Sequence, residues 1–131
     1  MAGSEEVLAA NEAFYRAFAE SDLAGMEMIL AEASTVTCIH PGWRPIFGRE
    51  QVLASWETIF TSPTAIVCRN ERILRHGGAA VVLCEEIIGE THLAATNIFV
   101  LEADSWRLVH HQASPMARPA AQEPTSSREL H

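Results

Sequence analysis

AAVVLCEEIIGETHLAATNIFVLEADSWRLVHHQA, residues 79–113, decides the fold class. It contains three β-rich runs, Ala79 to Gly89, Thr91 to Leu101 and Trp106 to Ala113, separated by turn-sized signals at Gly89-Glu90 and Ala103-Asp104-Ser105. A fourth run, Ala65 to Arg75, precedes them across His76-Gly77-Gly78. Runs joined so tightly form an antiparallel meander. Upstream the period changes from two to that of a helix. Val7, Leu8, Phe14, Tyr15 and Phe18 mark an amphipathic helix over Ser4 to Glu20, with Glu5 and Glu6 in its first turn, where the helix dipole favours acids. Ser21 and Asp22 offer an N-cap to a second helix, whose apolar face is Leu23, Met26, Ile29 and Leu30. Val52, Leu53, Trp56, Ile59 and Phe60 stripe a third helix from Gly48 to Phe60, which Ser62-Pro63 breaks. Helices followed by a meander make an α+β chain.

Two strands end in histidine and proline. Thr35 to Ile39 is short and β-branched, and it runs into His40-Pro41-Gly42, where proline lacks an N–H and holds His40 extended. The last run finishes LVHHQASP, residues 108–115. Whether the two ends meet is the question on which a site depends. From Met116 onward the chain has no periodicity and little apolar content, so 116–131 is expected to be a disordered tail.

Composition narrows the function. The chain has 131 residues, enough for one domain with a core and too few for two. A formal net charge of −8 opposes nucleic acid and anionic membrane surfaces as partners, since both require a basic face. All nine basic residues are arginines, which excludes Schiff-base chemistry and a lysine base. Cys38, Cys68 and Cys84 sit singly in apolar runs, as reduced core thiols do. The start MAGSEEV lacks the basic and apolar regions of a leader, and a cytoplasmic location is the simplest expectation. His40, His92, His110 and His111 have no compact ligand spacing, so neither a metal nor another cofactor is expected.

Strand alternation sorts the polar candidates. In Ala79 to Glu90, Val81, Leu83, Glu85 and Ile87 share one face and Val82, Cys84, Glu86 and Ile88 the other. Both faces are apolar, so both should be covered, one by the helices and the other by a second copy of the chain. A buried Glu85 would need a partner. Asn97 shares a face with Leu93, Ala95 and Phe99, and His111 with Val109 and Ala113, whereas His110 points the opposite way. Taken singly, each residue also has a plain structural reading, as a capped strand end, an interface acid or a backbone-satisfying amide.

FYRAFAESD (14–22), TCIHPGW (37–43) with PIFGRE (45–50), and WRLVHHQAS (106–114) occur in an order that resembles the nuclear transport factor 2-like superfamily, and within it the SnoaL-like group. The likeness covers about residues 1–115. It implies a cystatin-like α+β roll: a cone-shaped, curved antiparallel or mixed sheet wrapped around three N-terminal helices, with a pocket inside and a homodimer through the sheet's outer face. His40 is similar in place to the proton-moving aspartate of ketosteroid isomerases. Similarity to the calcium/calmodulin-dependent kinase II association domain turns Glu85, Asn97 and His111 into the pocket. The chain departs from the isomerases, with alanine, Ala94 or Ala95, in the region of their second acid. It also lacks the aspartate-arginine-aspartate set of limonene epoxide hydrolase-like members.

These readings combine into an expected pocket for a small apolar carbonyl compound. His40 is its base, Glu85 or His111 sets the protonation of that base, Asn97 donates to a developing oxyanion, and Trp56, Phe14, Phe18 and Val109 form the wall. Isomerase, cyclase or dehydratase chemistry without a cofactor would suit such a pocket. A non-catalytic dimeric domain that binds a ligand or another protein is the alternative.

Overall fold

The computed structural model describes residues 3–117. Helices α1 (Ser4–Glu20), α2 (Leu23–Ile29) and α3 (Arg49–Ile59) cover one face of a curved, unclosed sheet. Its strands are β1 (Thr37–Ile39), β2 (Ile46–Phe47), β3 (Ile66–His76), β4 (Ala79–Ile88), β5 (Thr91–Glu102) and β6 (Ser105–Pro115), in the order β2-β1-β6-β5-β4-β3. Five pairings join the described strands, and β1–β6 alone is parallel. The architecture is the expected α+β cone with a mixed sheet. The segment expected as a tail lies outside the described residues from position 118 on.

α1 buries Val7, Asn11, Phe14 and Tyr15, positions spaced by three or four, so a single stripe faces the sheet. Each large apolar side chain on it contributes roughly 1.5–3 kcal/mol by leaving water. The helix ends at Ser21 in the left-handed conformation, and the next residue, Asp22, caps α2 by accepting from the Gly25 N–H at 3.0 Å. The chain reverses there and lays α2 beside α1.

β1 stops at His40 because Pro41 and Gly42 make a tight turn: Gly42 has φ 84°, and the Trp43 N–H closes it on the His40 carbonyl at 2.9 Å. Glycine adopts that φ without strain, so the turn holds His40 at a fixed point on the cone wall. The chain then returns as β2, a two-residue strand with no sequence signal of its own, and enters α3. The two histidine-bearing strand ends do meet. β1 lies along β6 with Cys38 opposite His111 and Ile39 opposite Gln112.

The meander's turns fall where expected, and the Gly89-Glu90 turn pairs Ile88 with Thr91. That register places Val82, Cys84 and Glu86 on the face of Leu93, Ala95 and Asn97, all turned toward the helices. Glu85 therefore lies on the opposite, outer face with Leu83, and the expectation that it enters the pocket is corrected. Both faces of β4 are apolar, so the pattern of the strand itself leaves its phase open. The two-residue turn fixes it. β6 contains a bulge: Phe99 pairs with Leu108 and Ile98 with His110, leaving Val109 unpaired. The added residue shifts the alternation, so Leu108 and His111 are both buried and Val109 is half-buried.

Candidate functional site

Six polar side chains are buried inside the cone: Asn11, His40, Ser55, Glu86, Asn97 and His111. Tyr15 joins them from α1. His40 and His111 are each only 2% exposed, and their ring centres lie 6.3 Å apart. Trp56 stands against both rings, at 4.7 Å from His40 and 5.7 Å from His111. Phe14 packs on His111 at 4.9 Å, and Phe18 reaches Trp56 at 5.0 Å. α3 delivers Val52, Ser55 and Trp56 on one stripe, which is why a serine hydroxyl arrives beside the tryptophan.

The hydrogen bonds fix the tautomers. Ser55 Oγ donates its single proton to the Val52 carbonyl at 2.6 Å and so must accept from His40 Nε2 at 2.8 Å. His40 therefore carries its proton on Nε2 and keeps a lone pair on Nδ1. His111 Nδ1 lies 2.6 Å from Asn97 Oδ1, a pure acceptor, so His111 carries its proton on Nδ1 and turns Nε2 toward Glu86 Oε2, 3.8 Å away. The Asn97 amide donates to Asn11 Oδ1 at 2.9 Å and to the Tyr15 hydroxyl at 3.1 Å, and that hydroxyl donates to Glu86 Oε2 at 2.6 Å. The network closes through Glu86, Tyr15, Asn97 and His111.

Burial sets the charges. It pushes His40 down to about 4. It pushes His111 down to about 3, with repulsion from His40 and His110 adding to the effect. The Glu86 carboxyl rises by desolvation, against the opposing bond from Tyr15. The Tyr15 hydroxyl rises too, through burial and then the neighbouring carboxylate, and stays protonated. Desolvation thus favours the uncharged form of both the Glu86 carboxyl and the His111 imidazole. The neutral pair is the cheaper one to bury.

Of the expected residues, His40, His111, Asn97, Trp56 and Phe14 are gathered in this interior and Phe18 lines its edge. Glu85 and Val109 are not among the buried side chains, and Glu86 and Leu108 take those places. His110 faces away and bonds Thr37 Oγ1 at 2.6 Å. Sequence reading missed Asn11, Tyr15, Ser55 and Glu86. Asn11 was detectable as an amide on the Val7-Phe14-Tyr15 stripe, and Ser55 as a hydroxyl on the Val52-Trp56 stripe.

Two surface depressions border this interior. A groove of about 490 Å³ runs between the 43–46 segment and the helix, with Ser55 as its deepest polar residue. A second depression, about 360 Å³, lies between α1 and β3 and touches Asn11, Tyr15 and Cys68. Among the described residues no helix is long and apolar enough to cross a membrane.

A helix-lined cone with a buried polar cluster at its centre defines a class of fold, and comparison with known proteins identifies the family. The chain belongs to the SnoaL-like domain family, whose description matches residues 7–118. It is similar to a structure from Streptomyces avermitilis named as a candidate dehydratase of the nuclear transport factor 2-like family. The two share 30% identity over 87% of this chain and 96% of that one, with a TM-score of 0.79. A candidate calcium/calmodulin-dependent protein kinase type II association domain from Thiobacillus denitrificans is 31% identical over 82% of this chain and 93% of its own, with a TM-score of 0.75. A cystatin-like fold protein from Burkholderia xenovorans shares the fold at 20% identity, covering 88% of this chain and 92% of its own, with a TM-score of 0.74. None of the curated proteins compared matches the chain.

Proposed function

We propose that the chain binds a small apolar carbonyl compound and moves protons beside the carbonyl, as in the dehydration of a β-hydroxy ketone. The observation that carries this reading is the pairing of two neutral imidazoles, 6.3 Å apart, with a protonatable carboxyl 3.8 Å from one of them, all inside an aromatic wall. A base and an acid are thereby held in one dry space. His40 takes the proton from the carbon next to the carbonyl. The C–H electron pair becomes the new C=C bond as the C–O bond breaks, and the departing hydroxide collects the proton held by Glu86 and His111 and leaves as water. Positioned proton transfers of this kind contribute roughly a hundredfold to ten-thousandfold each. Asn97 and Tyr15 orient the acid. The Trp56 indole N–H is buried without an acceptor among the described residues, so it is a donor in reserve for the substrate oxygen. Trp43, exposed and edge-on to His40 at 4.9 Å, lines the groove by which the ligand would approach. Similarity to the candidate dehydratase supports this reading.

The reading extends to a homodimer. The outer face of the sheet carries exposed Val67, Leu74 and Leu83, beside half-buried Val81, Ile87 and Ile98. Arg69, Arg72 and Glu85 share that face, and a surface that mixes apolar and charged side chains in this way suits a second copy of the chain. Three free cysteines suit a reducing cytoplasm. A second reading, a non-catalytic association or ligand-binding domain, is favoured by the near-complete burial of the histidines and by likeness to the kinase association domain.

The test uses the aldol of benzaldehyde with acetone, whose dehydration to benzylideneacetone is followed by ultraviolet absorbance. Wild-type protein should accelerate it and His40→Gln should not. Equal rates in the two proteins, or no acceleration by either, would leave the association reading in place.

A further inference from the structure

The groove in front of Ser55 differs chemically from the rest of this acidic molecule. Gln51, Ala54, Ser55 and Thr58 form one α3 stripe at spacings of three and four, and this stripe is one bank. Glu50 and Glu57 flank the Ala54 side of this stripe, at i−4 and i+3 from it, and no acidic residue lines the groove itself. The other bank is Trp43, Arg44, Pro45 and Ile46. Arg44 is exposed and, among the described residues, makes no ion pair; the guanidinium that is paired, Arg49, is engaged with Glu27 at 3.9 Å and with two carbonyls. Arg44 thus shares with Trp43 and Pro45 the rim of a groove whose buried hydroxyl, Ser55, bonds His40 at 2.8 Å.

We infer that this groove is a binding site for small carboxylates with an apolar body, the carboxylate paired with Arg44, the body on Trp43 and Ile46, and the far end brought to Ser55. Arginine suits the role because its planar fork meets a carboxylate with two parallel hydrogen bonds. On a chain of net charge −8 the local cation also offsets the general repulsion of an anion. The inference rests on the proposed pocket in one respect, that the carbonyl of such a ligand is the one delivered to Ser55 and His40. The substrate class becomes a keto acid with an apolar body, in place of a neutral ketone.

Isothermal titration with benzoylpropionate and with its methyl ester tests this directly. Wild-type protein should bind the acid on the order of tenfold more tightly than the ester at low salt, and Arg44→Gln should erase that preference. Arg69→Gln, which removes the same charge from β3, should preserve it. Equal affinity for acid and ester in wild-type protein, an unchanged preference in Arg44→Gln, or equal loss in both variants would overturn the carboxylate site. Failure of the acid/base reading shows up separately, as absence of benzylideneacetone formation by wild-type protein, and leaves the Arg44-dependent preference to be judged on its own.

Discussion

Lowering the pH from about 7 to about 5 should destabilise this protein through its two interior histidines, and the size of the effect follows from their burial. An unburied imidazole titrates at 6.5, whereas His40 titrates at about 4 and His111 at about 3 in the folded chain. Because the folded values lie below the unfolded one, acid protonates the unfolded chain first. The stability these rings hold while neutral is therefore lost as the pH falls through 6.5 toward the folded values. By about pH 5 each ring has given up about 2 kcal/mol, or about 4 kcal/mol for the two. Glu86 works in the opposite direction: its folded value is raised, so it adds stability as the pH falls through that value and blunts the loss. His40→Gln separates these contributions, because glutamine keeps an N–H for Ser55 but does not titrate. Urea unfolding of both proteins at the two pH values gives the comparison, and Glu86 and the outer histidines largely cancel in the difference. The wild-type chain should lose about 2 kcal/mol more than the variant between the two conditions. The same pH dependence in both proteins would mean that the His40 ring is not held neutral, and the acid/base account would go with it.

Tyr15→Phe removes the hydroxyl that serves both Glu86 and Asn97, and should cost about 1–3 kcal/mol by urea unfolding, since both partners remain buried. Glu86→Gln should abolish benzylideneacetone formation, whereas Glu85→Gln, on the outer face, should leave the rate intact and change stability by no more than about 0.5 kcal/mol. Leu83→Arg sets a second arginine beside Arg72 on the outer face; light scattering should then report half the wild-type mass with the circular dichroism unchanged, and a wild-type monomer would refute the dimer. Asp22→Ala deletes the α2 cap and should cost about 1 kcal/mol in the same unfolding assay.

Much of the fold could be read from local chemistry. The helices declared themselves by stripes, α2 by its aspartate cap, and the meander by short turns, because each signal lies within a few residues of the element it creates. What stayed hidden depended on distant partners or on phase. β2 exists only because Cys38 lies opposite Ile46, and β1 joins the sheet through a strand some seventy positions away in sequence, so neither leaves a local mark. Glu85 and Glu86 are adjacent acids on a strand apolar on both sides, and composition does not choose between them. The Gly89-Glu90 turn does, by pairing Glu86 with Leu93 and hence with the face of Asn97. Strict alternation ignores the bulge at Val109, which packs half-buried against the core, and the bulge is what lets Leu108 and His111 both turn inward. His40, His111 and Asn97 were legible as polar groups ending or interrupting apolar strands. Tyr15 was masked by the helix pattern that made α1 so easy to recognise, because its ring fits the apolar stripe and hides its hydroxyl.

The parallel seam between β1 and β6 has a consequence for how the protein is made. One half of the acid/base cluster is synthesised early, with His40, and the other half late, with His111; no intermediate length of nascent chain can bring the two rings together. While β6 is still inside the ribosome, β5 lacks its neighbour and the imidazole at position 40 lacks the wall that dries it. Enclosure of the cluster and completion of the sheet should therefore arrive in a single late step, and a chain stalled before the last strand should be open to pairing with its neighbours on the polysome.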